Sequence, residues 1–226
     1  MGIHYFPCHF VYWREIKNHT EFRKRLLNEI ENNKSAFTKH ELIGNGYSSF
    51  TDRSGDIPDI FNKSLLKNNL DIIKEVVWDS LDTLIKELND RNNYQKIKIV
   101  DSIIDYSWMS IYGKGGSIGC HMHQASRRPR PHTKVPSFVV VYIINDPNEN
   151  NSTEFKQPFG QIPSLSYSTE YNFNTKNENE IREGVVMIFP SNLYHEVHAI
   201  EKENRIIYTF NIYSEFAKPQ DMCEVA

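Results

Sequence analysis

Hydrophobic positions along this chain follow one period in its N-terminal part and another in the remainder. In "NHTEFRKRLLNEIENN", Phe22, Leu26 and Ile30 recur at four-residue steps, which predicts a helix; Asn18 and Glu21 stand at its start like a capping box. A longer stripe, Leu70, Ile73, Val77, Leu81, Leu84 and Leu88, predicts one continuous helix over 64–89, and core packing explains it fully. Residues 34–60, rich in Gly, Ser, Asp and Asn, read as loop. Ahead of the first helix, "HFVYW" (9–13) is an aromatic and β-branched run that reads as a strand.

After "NDRNNYQ" the period changes to two. Ile104, Tyr106, Trp108, Ser110 and Tyr112 then share one face of a strand. "SFVVVYII" (137–144) is apolar on both faces and predicts a buried strand. "GVVMIFP" (184–190) and "RIIYTFNIY" (205–213) predict two more, set off by the turn formers Pro190-Ser191-Asn192 and Lys202-Glu203-Asn204. Helices first and short strands after imply an α+β chain with a mainly β core, a sandwich or jelly roll. We expect a single domain over 1–226: an N-terminal strand and helices (1–95) packing on the core, a β core (96–214) and a C-terminal tail (215–226).

Composition narrows the function classes. At 226 residues, with 39% hydrophobic and 24% charged residues, the chain suits one soluble globular domain with a substantial core. A net charge of -3 argues against a general nucleic-acid binder, so no nucleic-acid partner is expected. Cys8, Cys120 and Cys223 are widely spaced and form no CxxC pair, which suits a reducing compartment rather than a disulfide framework. There is no charged start followed by an apolar core, and Phe6 stands where a myristoylation signal wants Ser or Thr. No apolar run reaches the roughly 20 residues of a membrane span. The expected location is cytoplasmic, with no membrane partner.

The chemistry-bearing stretch is "GCHMHQASRRPRPH", 119–132, in which His121 and His123 run into Arg127, Arg128 and Arg130, with His132 after them. If the strand persists, His121 and His123 share a face, opposite Cys120 and Met122, and two imidazoles on one face can chelate one ion. Alone, HxH is a weak signal. A third imidazole, His195, follows the Pro-Ser-Asn turn and would return over the barrel mouth. Arg205 comes ten positions later, at the start of another strand. Buried in a barrel it must meet an anion, and its planar fork suits a carboxylate.

The ordered pattern W-x-S, G-x-H-x-H-x-x-S, Y, E-F-x-x-P, G-x-x-x-x-F-P-S-x-x-x-H-x-V and R-x-x-x-x-F-N runs from Trp108 to Asn211. It resembles the iron(II)/2-oxoglutarate-dependent oxygenases, in particular a bacterial and phage group with HxH in place of the usual HxD. "YFPCHFVYW" is similar to that group's opening strand. The resemblance implies a double-stranded β-helix (cupin-like jelly roll) with flanking N-terminal helices, one Fe(II), 2-oxoglutarate as co-substrate and O2. It further implies His121 and His195 as metal ligands and Arg205 on the far carboxylate of 2-oxoglutarate. Tyr112, Tyr142, Thr209 and Asn211 would be further co-substrate contacts. Gln124 departs from the group's proline after HxH, and Ile207 stands where a serine is common.

For His123 three roles stay open: a third metal ligand, a bystander to a position filled by water or halide as in halogenating relatives, or a bystander to a more distant Asp or Glu. The leading function is a hydroxylase acting on a C–H bond of a small-molecule or peptide substrate, anionic if the basic loop 126–134 borders the mouth; an oligomer is compatible with it. The alternatives are a three-histidine dioxygenase or isomerase that does without 2-oxoglutarate, and a non-catalytic β-sandwich binding module. His4, His9, His19, His40 and His132 read as surface or core residues, His198 as a structural neighbour of the site, and Cys120 as a packed thiol.

Overall fold

The computed structural model describes residues 2–6, 9–51, 53–91, 96–123, 136–147, 153–156 and 172–217. An N-terminal hairpin, β1 (Gly2–Phe6) and β2 (His9–Glu15), leads into helix α1 (His19–Asn32). Two short strands follow, β3 (Thr38–Lys39) and β4 (Gly46–Ser48), then helices α2 (Ile57–Asn68), α3 (Leu70–Ile73) and α4 (Asp79–Arg91). The strands of the second half are β5 (Ile99–Tyr112), β6 (Ile118–His121), β7 (Phe138–Asn145), β8 (Thr153–Phe155), β9 (Phe173–Asn174), β10 (Val185–Pro190), β11 (His195–Val197) and β12 (Arg205–Phe216).

These strands form two antiparallel sheets. The larger has the order β1-β2-β10-β7-β12-β5-β4-β3 and the smaller β6-β11-β8-β9. Successive strands from β5 onward pass mostly from one sheet to the other, which is the winding of a double-stranded β-helix, or jelly roll. Strands from the first 95 residues extend the larger sheet at both edges, so the N-terminal part contributes to the core sheet as well as covering it.

Strand alternation sorts the residues between two cores. On β7 and β12, Val140, Tyr142, Ile144, Tyr208, Phe210 and Ile212 pack with helix residues such as Leu26, Ile72, Val76 and Leu84. Their neighbours Val139, Val141, Ile143 and Ile207 point into the space between the sheets, with Val185, Met187, Phe189 and Val197. One layer is sealed by helices; the other is open to a ligand at one end.

Three local expectations are corrected. The capping box at α1 does not form: Asn18 makes no side-chain bond to its own helix. Instead Glu75, far along the chain, accepts from the backbone N–H groups of Lys17 (2.7 Å) and Asn18 (3.3 Å), and from the Asn18 amide (2.6 Å). The expected continuous helix over 64–89 is broken at Asn69, whose backbone leaves the helical region and whose side chain donates to the Leu65 carbonyl (3.0 Å). Leu70, directly after this break, is 70% exposed, while Ile72, Ile73, Val76 and Val77 are buried leading into and within a π-turn at Lys74–Trp78. The third correction concerns Ile104. On β12, Asn211 faces Tyr106 and Ile212 faces Ile104, so Asp105 is an extra residue. This β-bulge turns Ile104 to the helix side, away from Trp108, Ser110 and Tyr112.

The segment read as loop, 34–60, contains β3 and β4, and β4 pairs with β5. Gly46 permits this pairing: a Cβ there would lie 2.5 Å from the Ile111 carbonyl oxygen. No helix among the described residues is long and apolar enough to cross a membrane.

Candidate metal centre

His121 closes β6 and His195 opens β11, and the two are direct partners across the antiparallel pair. The strand does not persist to His123. That residue reaches the same side because its backbone N–H donates to the Ser191 carbonyl (2.9 Å), in the Pro190-Ser191-Asn192 turn. The three rings converge, with centroid separations of 5.4 Å (His121–His123), 4.3 Å (His121–His195) and 5.2 Å (His123–His195). One nitrogen from each lies within 4.8 Å of the others.

Hydrogen bonds at the other ring nitrogen define the donor set. Nδ1 of His121 lies 2.8 Å from the Gly119 carbonyl oxygen, and Nδ1 of His195 lies 3.0 Å from that of Leu193. Nδ1 of His123 lies 2.8 Å from Asn211 Oδ1. Each partner is an acceptor, so each Nδ1 carries the hydrogen and each Nε2 keeps a lone pair. Burial favours the neutral ring as well: it lowers the pKa of His121, pushes that of His123 down to about 4, and holds that of His195 well below the usual range. The result is three neutral nitrogen donors aimed at one point, a set that suits a borderline divalent transition ion. No Asp or Glu among the described residues joins this cluster.

Behind the histidines a cavity runs between the sheets, walled by Val141, Met187, Phe189 and Ile207, with Tyr112, Arg205 and Thr209 among its polar lining. Arg205 is 1% exposed. Its Nε donates to Asp146 Oδ2 (3.3 Å), Nη2 lies 3.4 Å from Thr153 Oγ1, and its guanidinium sits 5.3 Å from the centre of the Tyr112 ring. The buried arginine thus already meets one carboxylate, that of Asp146, which the sequence argument did not foresee. Tyr112 Oη is fully buried and makes no hydrogen bond among the described residues; burial pushes its pKa up to about 12, so it stays a donor.

Of the expected co-substrate contacts, Tyr142 stands away from the cavity and Asn211 lies at its mouth. Tyr142 is on the helix side of β7, its hydroxyl 2.7 Å from His19 Nδ1, because even-numbered positions of that strand face away from the cavity. Asn211 is engaged with His123. Cys120 is exposed rather than packed, and its thiol is held above its usual pKa by partial burial and by Glu196. His198 bonds to Glu154 (2.7 Å) on the outer face of the smaller sheet, where Lys156 Nζ lies 2.6 Å from Glu154 and 2.7 Å from Glu196. The loop 126–134, Gln124 and Pro158 lie outside the described residues.

Sequence reasoning missed the mouth of the site. A second, wider pocket in front of the histidines is lined by His40, Ser48, Phe50, Trp108, Met122 and Asn211 among others. Phe50 and His40 fall in the segment read as loop and carry no periodic signal; only the pairing of β4 with β5 brings them here.

No family model and no curated protein matches the chain. Solved structures do. OsALKBH1 superposes with a TM-score of 0.54 at 15% identity, over 93% of this chain and 99% of that one. HygX from Streptomyces hygroscopicus, solved with nickel, 2-oxoglutarate and hygromycin B, gives 0.52 at 9% identity, covering 90% and 82%. An oxidoreductase of the 2OG-Fe(II) oxygenase family from Burkholderia pseudomallei gives 0.51 at 13%, covering 90% and 84%. The fold is the double-stranded β-helix of these oxygenases. In that fold His121, His123 and His195 lie at one end of the barrel, beside the mouth pocket, and Arg205 lines the cavity behind them.

Proposed function

We propose that the protein is an Fe(II)- and 2-oxoglutarate-dependent oxygenase that oxidises a C–H bond of an organic substrate. The observation that carries this reading is the convergence of three imidazoles, one nitrogen of each within 4.8 Å of the others, with an acceptor at the Nδ1 of every ring. His121, His123 and His195 would hold the iron, leaving coordination positions for co-substrate and O2. Bound iron with 2-oxoglutarate would supply the oxidising power.

The remaining residues bind and orient. Arg205 and the hydroxyl of Tyr112 offer donors inside an apolar cavity to the far carboxylate of 2-oxoglutarate, and Thr209 on the same face of β12 adds a hydroxyl. Val141, Met187, Phe189 and Ile207 exclude water, which strengthens those charge-assisted bonds. Asn211 keeps the proton on Nδ1 of His123 and so keeps Nε2 available.

A second reading is favoured by two observations: among the described residues the donor set includes no carboxylate, and Arg205 is already engaged with Asp146. It is a three-histidine dioxygenase or isomerase that does without 2-oxoglutarate. Anaerobic reconstitution with Fe(II), followed by addition of 2-oxoglutarate and air, separates the two. Succinate release supports the first; stoichiometric iron without succinate, with or without added organic substrates, supports the second.

A further inference from the structure

The mouth pocket is walled by aromatic rings in a connected series. Phe50 meets the faces of Tyr106 and Trp108 edge-on, at 5.6 Å and 5.2 Å with interplanar angles of 88° and 78°. Tyr106 stacks on Trp108 (5.7 Å, 27°), Trp108 on His123 (5.6 Å, 27°), and His123 on His121 (5.4 Å, 26°). From Tyr106 through Trp108 and His123 to His121 successive planes differ by only 26–27°, with Phe50 set across the outer end.

Core packing alone does not account for this series, because Phe50 is 36% exposed at the rim. Among the described residues the lining includes no Asp, Glu, Lys or Arg. His40, edge-on to Phe50 at 5.5 Å, is kept toward its neutral form by burial, which lowers its pKa. Of the hydroxyls, Ser48 is occupied with the Met109 carbonyl (3.0 Å) and lies 3.4 Å from Ser110. Described walls that are flat, quadrupolar and free of charged side chains select for a flat, uncharged partner, which gains both area burial and ring-on-ring contact. A charged one would lose hydration with no charged side chain in the described lining to replace it. The net charge of -3 adds a field that opposes a polyanion such as nucleic acid.

We infer that the substrate of this site is a small molecule carrying an uncharged aromatic ring system, which stacks in the pocket formed by Phe50, Trp108 and His40 in front of the three histidines. The inference rests on the proposed metal-centre reading for its function, yet its binding test does not depend on that reading. The expectation of an anionic substrate came from residues 126–134, which lie outside the described residues.

The test is calorimetric titration of the full chain with 1-naphthol, its saturated counterpart decahydro-1-naphthol, and 1-naphthoate, with iron content measured on the same sample. Naphthol is expected to bind at least about tenfold more tightly than either of the others, a difference of about 1.4 kcal/mol. Phe50→Leu should weaken naphthol binding about tenfold by the same measure, and Phe50→Trp should retain it; the second variant separates loss of a ring from general damage to the mouth. Equal affinity for naphthol and its saturated counterpart overturns the inference, as does equal loss in both Phe50 variants. Tighter binding of N-acetyl-tryptophanamide than of naphthol overturns the small-molecule source in favour of a peptide side chain. If naphthol preference holds while the protein takes up no iron, the oxygenase reading falls and this inference stands. If iron binds and the preference is absent, the reverse follows.

Discussion

Asn211 Oδ1 accepts the Nδ1 proton of His123 at 2.8 Å, and this contact fixes one ring of the three-histidine cluster. His121 and His195 use backbone carbonyls for the same purpose, so His123 is the member of the set whose orientation depends on a replaceable side chain. Asn211→Leu should therefore weaken Fe(II) binding about 10–100-fold, the usual effect of losing such a partner, while Asn211→Asp, which keeps an acceptor, should retain most of it. Anaerobic Fe(II) titration decides; unchanged affinity in the Leu variant would remove Asn211 from the role.

The ligand roles themselves are tested by metal content. His195→Ala and His121→Ala are expected to purify with well under one iron per chain after anaerobic loading. His123→Asp should keep about one, since a carboxylate supplies charge that a neutral imidazole lacks. Full iron retention in His123→Ala, measured by elemental analysis, would mean a two-histidine site.

For Arg205 the buried partner matters. Arg205→Met removes the guanidinium from the buried Asp146 carboxylate, and breaking such a pair costs about 3–5 kcal/mol of stability. Adding Asp146→Asn should restore a large part of that loss in urea denaturation while leaving the Michaelis constant for 2-oxoglutarate raised. Recovery of both stability and normal 2-oxoglutarate dependence in the double variant would show that Arg205 serves only the ion pair.

Tyr112→Phe removes a buried hydroxyl that has no hydrogen-bond partner among the described residues. Stability without ligand should change little, or rise, because an unsatisfied polar atom is lost. If the hydroxyl serves the co-substrate, the Michaelis constant for 2-oxoglutarate should rise about tenfold, equivalent to about 1.4 kcal/mol. A variant with both quantities unchanged would leave Tyr112 as cavity wall alone.

The sequence by itself determined the elements whose period is strong. Strands β7, β10 and β12 read directly from their apolar runs, because a strand buried in a sheet needs no partner identity to be apolar. That His121, His195 and Arg205 belong to one site was an expectation from the ordered motif, and for Arg205 also from the cost of burying a lone charge on an apolar strand; the fold places all three around one cavity. What depended on contacts between distant segments was not legible. Glu75 displaced the local capping box at α1 because a charged acceptor held by tertiary packing outcompetes a side chain three residues away. The bulge at Asp105 reversed the face of Ile104, since strand alternation is fixed by pairing with β12 and not by β5 alone. Tyr142 fell on the helix side for the same reason of parity, and Asp146 took the arginine edge that sequence alone assigned wholly to a ligand. The aromatic mouth was decided last and only in three dimensions. Phe50 and His40 lie on a segment without periodicity, and it is the closeness that Gly46 allows between β4 and β5 that carries them to the histidines.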